Sequence, residues 1–243
     1  MRFPHREPID VTQLLDLDDA LTLGADELIE LLDDQLSERR KQRIDDVVAE
    51  RTVEVIPVMD GIYDLGNAAA VLRSAEGMGY QRAHVIDTQP HHKASDRITQ
   101  GADKWMDVER WTDPAPCIDE LQKEGYRIVA TDLEADMELA DVDFTRPTAL
   151  VFGNEKDGCS DEMLQRADAR CIIPIRGFVQ SFNISVAAAM SLYQAMRQRI
   201  DKQGYHGDLD DEQRRILKAH FYIRATNDAR RLVPSLWRRR CQS

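Results

Sequence analysis

"TALVFGNEKDG" (148–158) runs a short apolar segment straight into a charged loop with a glycine at either end. Thr148 to Phe152 is too brief for a helix and rich in β-formers, so it reads as a buried strand. Gly153 and Gly158 then bracket Asn154, Glu155, Lys156 and Asp157. Glycine lets backbone approach a ligand closely, and Glu155 is an unusual choice beside a strand end. An open α/β sheet presents such loops at the carboxyl ends of its strands, where these sheets bind ligands.

Outward from this segment, similar runs recur at "TVEVIPV" (52–58), "AHVID" (83–87), "YRIVATDL" (126–133) and "CIIPI" (171–175). Helical stretches lie between and after them, at 67–79, 115–125, 160–168 and 183–201. The alternation predicts an α/β fold, a mostly parallel sheet with helices on both faces. Residues 10–36 read as two short helices broken near Gly24, and 37–51 continue helically. Beyond Gly204 one or two more helices follow.

A chain of 243 residues with 42% hydrophobic side chains can bury a sizeable core. No apolar run approaches a membrane span. "MRFPHREPID" (1–10) lacks the apolar stretch of a signal peptide, so the expected location is the cytoplasm, with no membrane partner. Cys117, Cys159, Cys171 and Cys241 form no CxxC pair and no zinc spacing with histidine; they read as buried free thiols, and no metal is expected. The net charge of −12 argues against a large polyanionic partner but is unevenly spread. Residues 7–36 hold many acids and no Lys or Arg, whereas "SERRKQR" (37–43) and "RRLVPSLWRRRCQS" (230–243) are basic. Screening confines distant charge to about 10 Å, so basic patches on an acidic protein can still bind phosphate. Taken alone, each patch reads first as a solvated helix face.

Three loops carry the polar residues of interest. The first, "MDGIYDLGNAAAVLR" (59–73), sets Asn67 and Arg73 six residues apart on one helix, about a third of a turn out of line, so both can border one loop. An Asn cap and a surface Arg would give the same pattern. The second is the loop first quoted. The third, "GFVQSFNISVAAAM" (177–190), places Gln180, Ser181, Asn183 and Ser185 where an apolar helix begins. They suit capping of unpaired N–H groups, the reading this stretch favours when taken alone, and also a polar ligand held at a helix start. No G-x-G-x-x-G follows a strand, no G-K-[ST] is present in the second loop, and "GFVQS" is not G-x-S-x-G.

Taken in order and spacing, "GNAAAVLRSAEGMG", "ALVFGNEKDG" and "IIPIRGFVQSFNISVAAAMSLYQAMRQR" closely resemble the three signature motifs of the SpoU branch of the SPOUT RNA methyltransferases. The resemblance covers roughly residues 37–204. "VDFTRPTALVFGNEKDG" and "QAMRQR" look most like the TrmH-type tRNA guanosine-18 2′-O-methyltransferases. The resemblance implies a C-terminal deep trefoil knot, otherwise nearly absent from proteins, that binds S-adenosylmethionine without a metal. It also implies a homodimer acting on tRNA. Carried over by position, Thr131, Gly153, Ile173 and Phe182 would form the cofactor pocket. Arg73 matches the catalytic arginine, and Asn67, Glu155, Ser181 and Asn183 match the other polar motif residues. The organisation then expected is an acidic helical extension (1–36), a methyltransferase core (37–204) and a basic helical tail (205–243), with "SERRKQR", the tail and Trp237 meeting the RNA.

Three departures stand out. "MDGIYDLG" replaces a segment where relatives commonly carry His and Pro, Phe182 stands where Leu is usual, and residues 1–36 have no counterpart in compact relatives. Alternative readings are a 2′-O-methyltransferase of ribosomal RNA or of another tRNA nucleotide, and an inactive RNA-binding relative.

Overall fold

A computed structural model describes residues 9–61, 64–87 and 104–242. All but Ile9 and Asp10 of "MRFPHREPID", the basis of the signal-peptide reading, and Ile62 and Tyr63 of "MDGIYDLG" lie outside the described residues. The chain divides into two compact units: Thr52–Asp208, and the residues up to Arg51 together with those from Leu209 onward.

The terminal unit begins with β1 (Ile9–Asp10), α1 (Val11–Leu15) and β2 (Thr22–Leu23), the two strands pairing antiparallel. The expected break near Gly24 is present: Gly24 is the cap of α2 (Ala25–Leu32), and its N–H donates to Glu27. Ser37 caps α3 (Glu38–Ala49) by accepting from the N–H of Arg40.

The sheet unit runs β3 (Val55–Asp60), α4 (Leu65–Gly77), β4 (Arg82–Ile86), β5 (Asp107–Trp111), α5 (Pro114–Lys123), β6 (Arg127–Thr131), β7 (Met137–Glu138), β8 (Thr148–Phe152), α6 (Asp161–Arg166), β9 (Ala169–Ile172) and α7 (Ile184–Gln203). Among the described residues its seven strands lie in the order β5-β4-β3-β8-β6-β9-β7, with every neighbouring pair parallel. The α/β class and the parallel sheet are as expected. Every residue of β3, β4 and β8 is buried, because helices cover both faces. Side chains alternate accordingly. Val55, Met59, Leu150 and Phe152 meet α4 and α7 on one face, while Ile56, Val58, Ala149 and Val151 meet α5 and α6 on the other. Pro57 has no N–H to donate, and it stands just before the β3–β4 ladder begins at Val58.

A buried clasp joins the start of this unit to its end. Asp208 accepts from the hydroxyl of Thr52 and, at 2.9 Å, from the N–H of Val53. Arg199, 1% exposed, donates to Asp208 at 2.8 Å and to the carbonyl of Phe144 at 3.1 Å.

The chain then returns to the terminal unit with α8 (Asp211–Ala225) and α9 (Ala229–Arg240). The basic helix α3, expected within the core that starts at 37, packs here instead, because its buried Ile44 and Val48 stripe lies against α8. Among the described residues no helix is long and apolar enough to cross a membrane.

Candidate active site

The loops following β6, β8 and β9 converge on a cleft of about 430 Å³ at the carboxyl edge of the sheet. Local sequence explains the loop after β8. Asn154 and Gly158 exchange backbone hydrogen bonds of 3.0 and 3.1 Å, and the Asn154 side chain accepts from the N–H groups of Lys156 and Asp157 at 2.9 and 2.7 Å. The result is a tight, closed turn. Gly158 adopts φ +74°. At Gly153 a Cβ would lie 2.0 Å from backbone atoms of both Gly158 and Cys159, so only glycine fits.

Asp60 fixes the far end of this turn. It stands at the end of β3, is 1% exposed, and accepts from the N–H and hydroxyl of Ser160 at 2.7 and 2.8 Å. Cys159 and Cys171 line the cleft but are poor nucleophiles. Burial, reinforced by the Asp60 charge, pushes the Cys159 thiol up to about 12, and burial does the same to Cys171. Among the described residues no group of three or more His, Cys, Asp or Glu is placed to hold a metal ion.

Thr131, Gly153, Ile173 and Phe182 all line this cleft, and Ser181 and Glu155 join them. Thr131 ends β6 and donates its hydroxyl to the carbonyl of Val151 at 3.0 Å, which ties two of the converging strands together. Asn67 is brought to the cleft's border from α4. Its amide nitrogen donates to Glu155, and its carbonyl oxygen accepts from Asn183 at 3.3 Å. Three chain segments are thereby linked through one side chain.

The capping question resolves residue by residue. Asp64, and not Asn67, caps α4, accepting from the N–H of Gly66 at 2.7 Å. Asn183 is the cap of α7 through its side-chain oxygen, which accepts from the N–H of Ser185 at 2.9 Å. The nitrogen of that same amide reaches Asn67, so capping and site assembly are two ends of one group. Gln180 is exposed and does not line the cleft. Arg73 stands apart: it is exposed on α4, and its side chain makes no hydrogen bond or ion pair among the described residues.

Sequence reasoning missed Asp60, Asp64 and Asn154. The usable signal for Asp60 was a lone carboxylate closing the apolar run "VIPVMD".

Comparison with known proteins agrees with this geometry. Residues 54–193, from β3 into α7, match the model of the SpoU rRNA Methylase family. A curated relative, the tRNA (guanosine(18)-2′-O)-methyltransferase of Aquifex aeolicus, is 33% identical over 200 residues, which cover 81% of this chain and 95% of the relative. The crystal structure of the A. aeolicus TrmH/SpoU tRNA modifying enzyme superposes with a TM-score of 0.66 at 33% identity, over 76% of this chain and 96% of that one. The SpoU methyltransferase AviRb from Streptomyces viridochromogenes, solved in complex with the cofactor AdoMet, gives a TM-score of 0.55 at 28% identity, over 63% of this chain and 62% of that one. The matched residues include all three loops that meet at the cleft, and with them the chain belongs to the SpoU methylase family.

Proposed function

We propose that the chain transfers the methyl group of S-adenosylmethionine to a ribose 2′-hydroxyl of tRNA, at guanosine 18 of the D-loop. The observation that carries this reading is the joining of Asn67, Glu155 and Asn183, from three separate segments, beside the Gly153-floored cleft. The name of the A. aeolicus relative supports the choice of nucleotide.

The cleft's residues fit the cofactor. Gly153 gives up its side chain to a close backbone approach, and Thr131, Ile173 and Phe182 provide one hydroxyl and two apolar surfaces. These four would hold S-adenosylmethionine, which supplies an electrophilic methyl group on a sulfonium sulfur. The chain's own task is positioning, which in favourable cases accounts for about 7–11 kcal/mol of a barrier. A guanidinium carries N–H donors and no acceptor, so Arg73 is not cast as the base. Its role is a bidentate clamp on the phosphate beside the target ribose, stabilising the forming alkoxide while a phosphate oxygen or water accepts the hydroxyl proton. The exposure of Arg73 leaves its guanidinium open to the RNA. Glu155, Asn67 and Asn183 orient one another, and Ser181 offers a hydroxyl at the cleft wall.

The working form is a homodimer in the cytoplasm. Val186, Met190 and Tyr193 form an exposed apolar stripe along α7 at helical spacing, more than a helix packed on one sheet needs. A second copy would bury it in an isologous contact. The segment following β8 is threaded as a deep trefoil knot. The cleft belongs wholly to the sheet unit of residues 52–208, and "SERRKQR" and the basic tail, both in the terminal unit, receive the RNA body. The test is methylation of an unmodified tRNA transcript, with the product mapped by mass spectrometry. A 2′-O-methyl group at guanosine 18, absent when that residue is 2′-deoxy, is the expected outcome; methylation of a base, or no product, refutes the reading.

A further inference from the structure

Within the terminal unit, the turn of residues 17–21 and α9 enclose a second cleft, of about 750 Å³. Its α9 wall carries Arg230, Arg231, Arg238 and Arg239 beside Trp237 and Pro234. The facing turn is acidic, and it has already engaged part of this charge. Asp19 lies 3.1 Å from Arg238, and Asp16 lies 3.5 Å from Arg230. The Arg239 side chain makes no hydrogen bond or ion pair among the described residues, and the Arg231 guanidinium approaches only Asp228, at 3.8 Å, the residue that caps its own helix. Trp237 is half-buried, and its indole N–H has no partner among the described residues.

A flat indole beside guanidinium groups that no facing acid neutralises is the chemistry that holds a nucleotide. The ring stacks a base of any sequence, and the arginines take the phosphates. The acidic wall repels a backbone laid along the cleft, which leaves room for a single inserted residue and not for a continuous strand. We propose that this cleft takes one unstacked nucleotide of the RNA substrate, with its base on Trp237 and its phosphates on Arg231 and Arg239. The proposal rests on the reading of the chain as a tRNA methyltransferase. It also gives the acidic N-terminal segment a function: Asp18 and Asp19 wall the pocket, and Asp16 and Asp19 hold two of its arginines out of phosphate binding.

The experiment measures affinity for an unmodified tRNA transcript across a salt series, using full-length protein. Trp237→Ala should weaken binding by roughly five- to a hundred-fold with the salt slope unchanged, and Trp237→Phe should restore most of it. Arg239→Gln should lower the salt slope by about one, and Asp19→Asn, by freeing Arg238, should raise it by about one. Parental affinity in Trp237→Ala overturns the pocket. So does a Trp237→Leu chain that binds as well as Trp237→Phe, because leucine keeps apolar bulk without a ring; that pair decides the matter even if alanine loosens α9. A joint Arg238, Arg239 and Arg240 replacement by Gln separates the two readings. If it weakens binding while Trp237→Ala does not, the tail still binds RNA and the pocket falls. If it changes nothing and the parent methylates no tRNA, the underlying reading falls.

Discussion

Asn67 donates its side-chain amide to the carboxylate of Glu155, 88 residues away, and accepts from Asn183 with the other end of the same amide. A side chain held at both ends has one orientation, and it sets the orientation of its two partners.

Residues that act as such a unit should fail as a unit. Asn67→Ala and Glu155→Gln are each expected to lower kcat by about tenfold or more, and the double mutant should be little worse than the worse single one. Single-turnover rates of the three variants give the coupling energy, on the order of 1–2 kcal/mol. Simply additive losses would show that the two side chains act separately.

Arg73→Ala should cost a hundred- to a thousand-fold in turnover, about 3–4 kcal/mol, the usual loss when a charge aimed at a developing oxyanion is removed. Cofactor affinity, measured by calorimetry, should be nearly unchanged, since Arg73 does not line the cleft of Gly153 and Ile173. Arg73→Lys is the sharper variant. Lysine keeps the charge without the planar fork, so a bidentate clamp predicts impairment close to that of alanine. A lysine enzyme with most of its single-turnover rate would show that a point charge suffices.

Gly153→Ala tests the floor of the cleft. Its methyl group would sit 2.0 Å from the backbone of Gly158 and Cys159, so the turn must open. Overpacking of this kind typically costs about 1–3 kcal/mol. The expected result is a lowered melting temperature together with loss of S-adenosylmethionine binding. Normal cofactor affinity in this variant would place the binding site elsewhere.

A pH dependence follows from His206, which is 4% exposed. Burial, with the Arg199 charge adding to it, pulls the imidazole down to about 4. In the unfolded chain it titrates near about 6.5. Between these values the unfolded chain binds a proton that the folded chain does not. The stability is therefore full above about 6.5 and declines as pH falls toward 4, by about 3 kcal/mol from this group. Urea midpoints at pH 7 and pH 4.5 should fall further apart for the parent than for His206→Gln. Equal separations would mean that His206 does not carry the effect.

What was legible in the sequence was local. The strand ending at Phe152 could be read because its apolar run stops at a glycine, and Glu155 was conspicuous in that setting. The cap of α7 was legible as well, since Asn183 directly precedes an apolar helix. Strand β5 was missed because "DVERW" lies at the sheet edge with most of its side chains only partly buried, so its apolar signal is weak. The hold of Asp60 on Ser160 spans 100 residues, and no local pattern reports such a pair. Helix α3 shows its stripe of Ile44 and Val48 in the sequence, but nothing in that stripe says which unit will cover it.

The clasp of Thr52, Arg199 and Asp208 brings the first and last residues of the sheet unit side by side. A unit whose ends adjoin can be cut out, closed into a ring and reopened at an exposed loop, the condition under which circular permutation and transplantation into a new host succeed. The chemistry of the cleft is then one cassette, and the helices on either side of it in the sequence are another. On the proposal that the flanks receive the RNA, substrate choice becomes a trait that can be exchanged by swapping them, without rebuilding the loops that meet at Gly153.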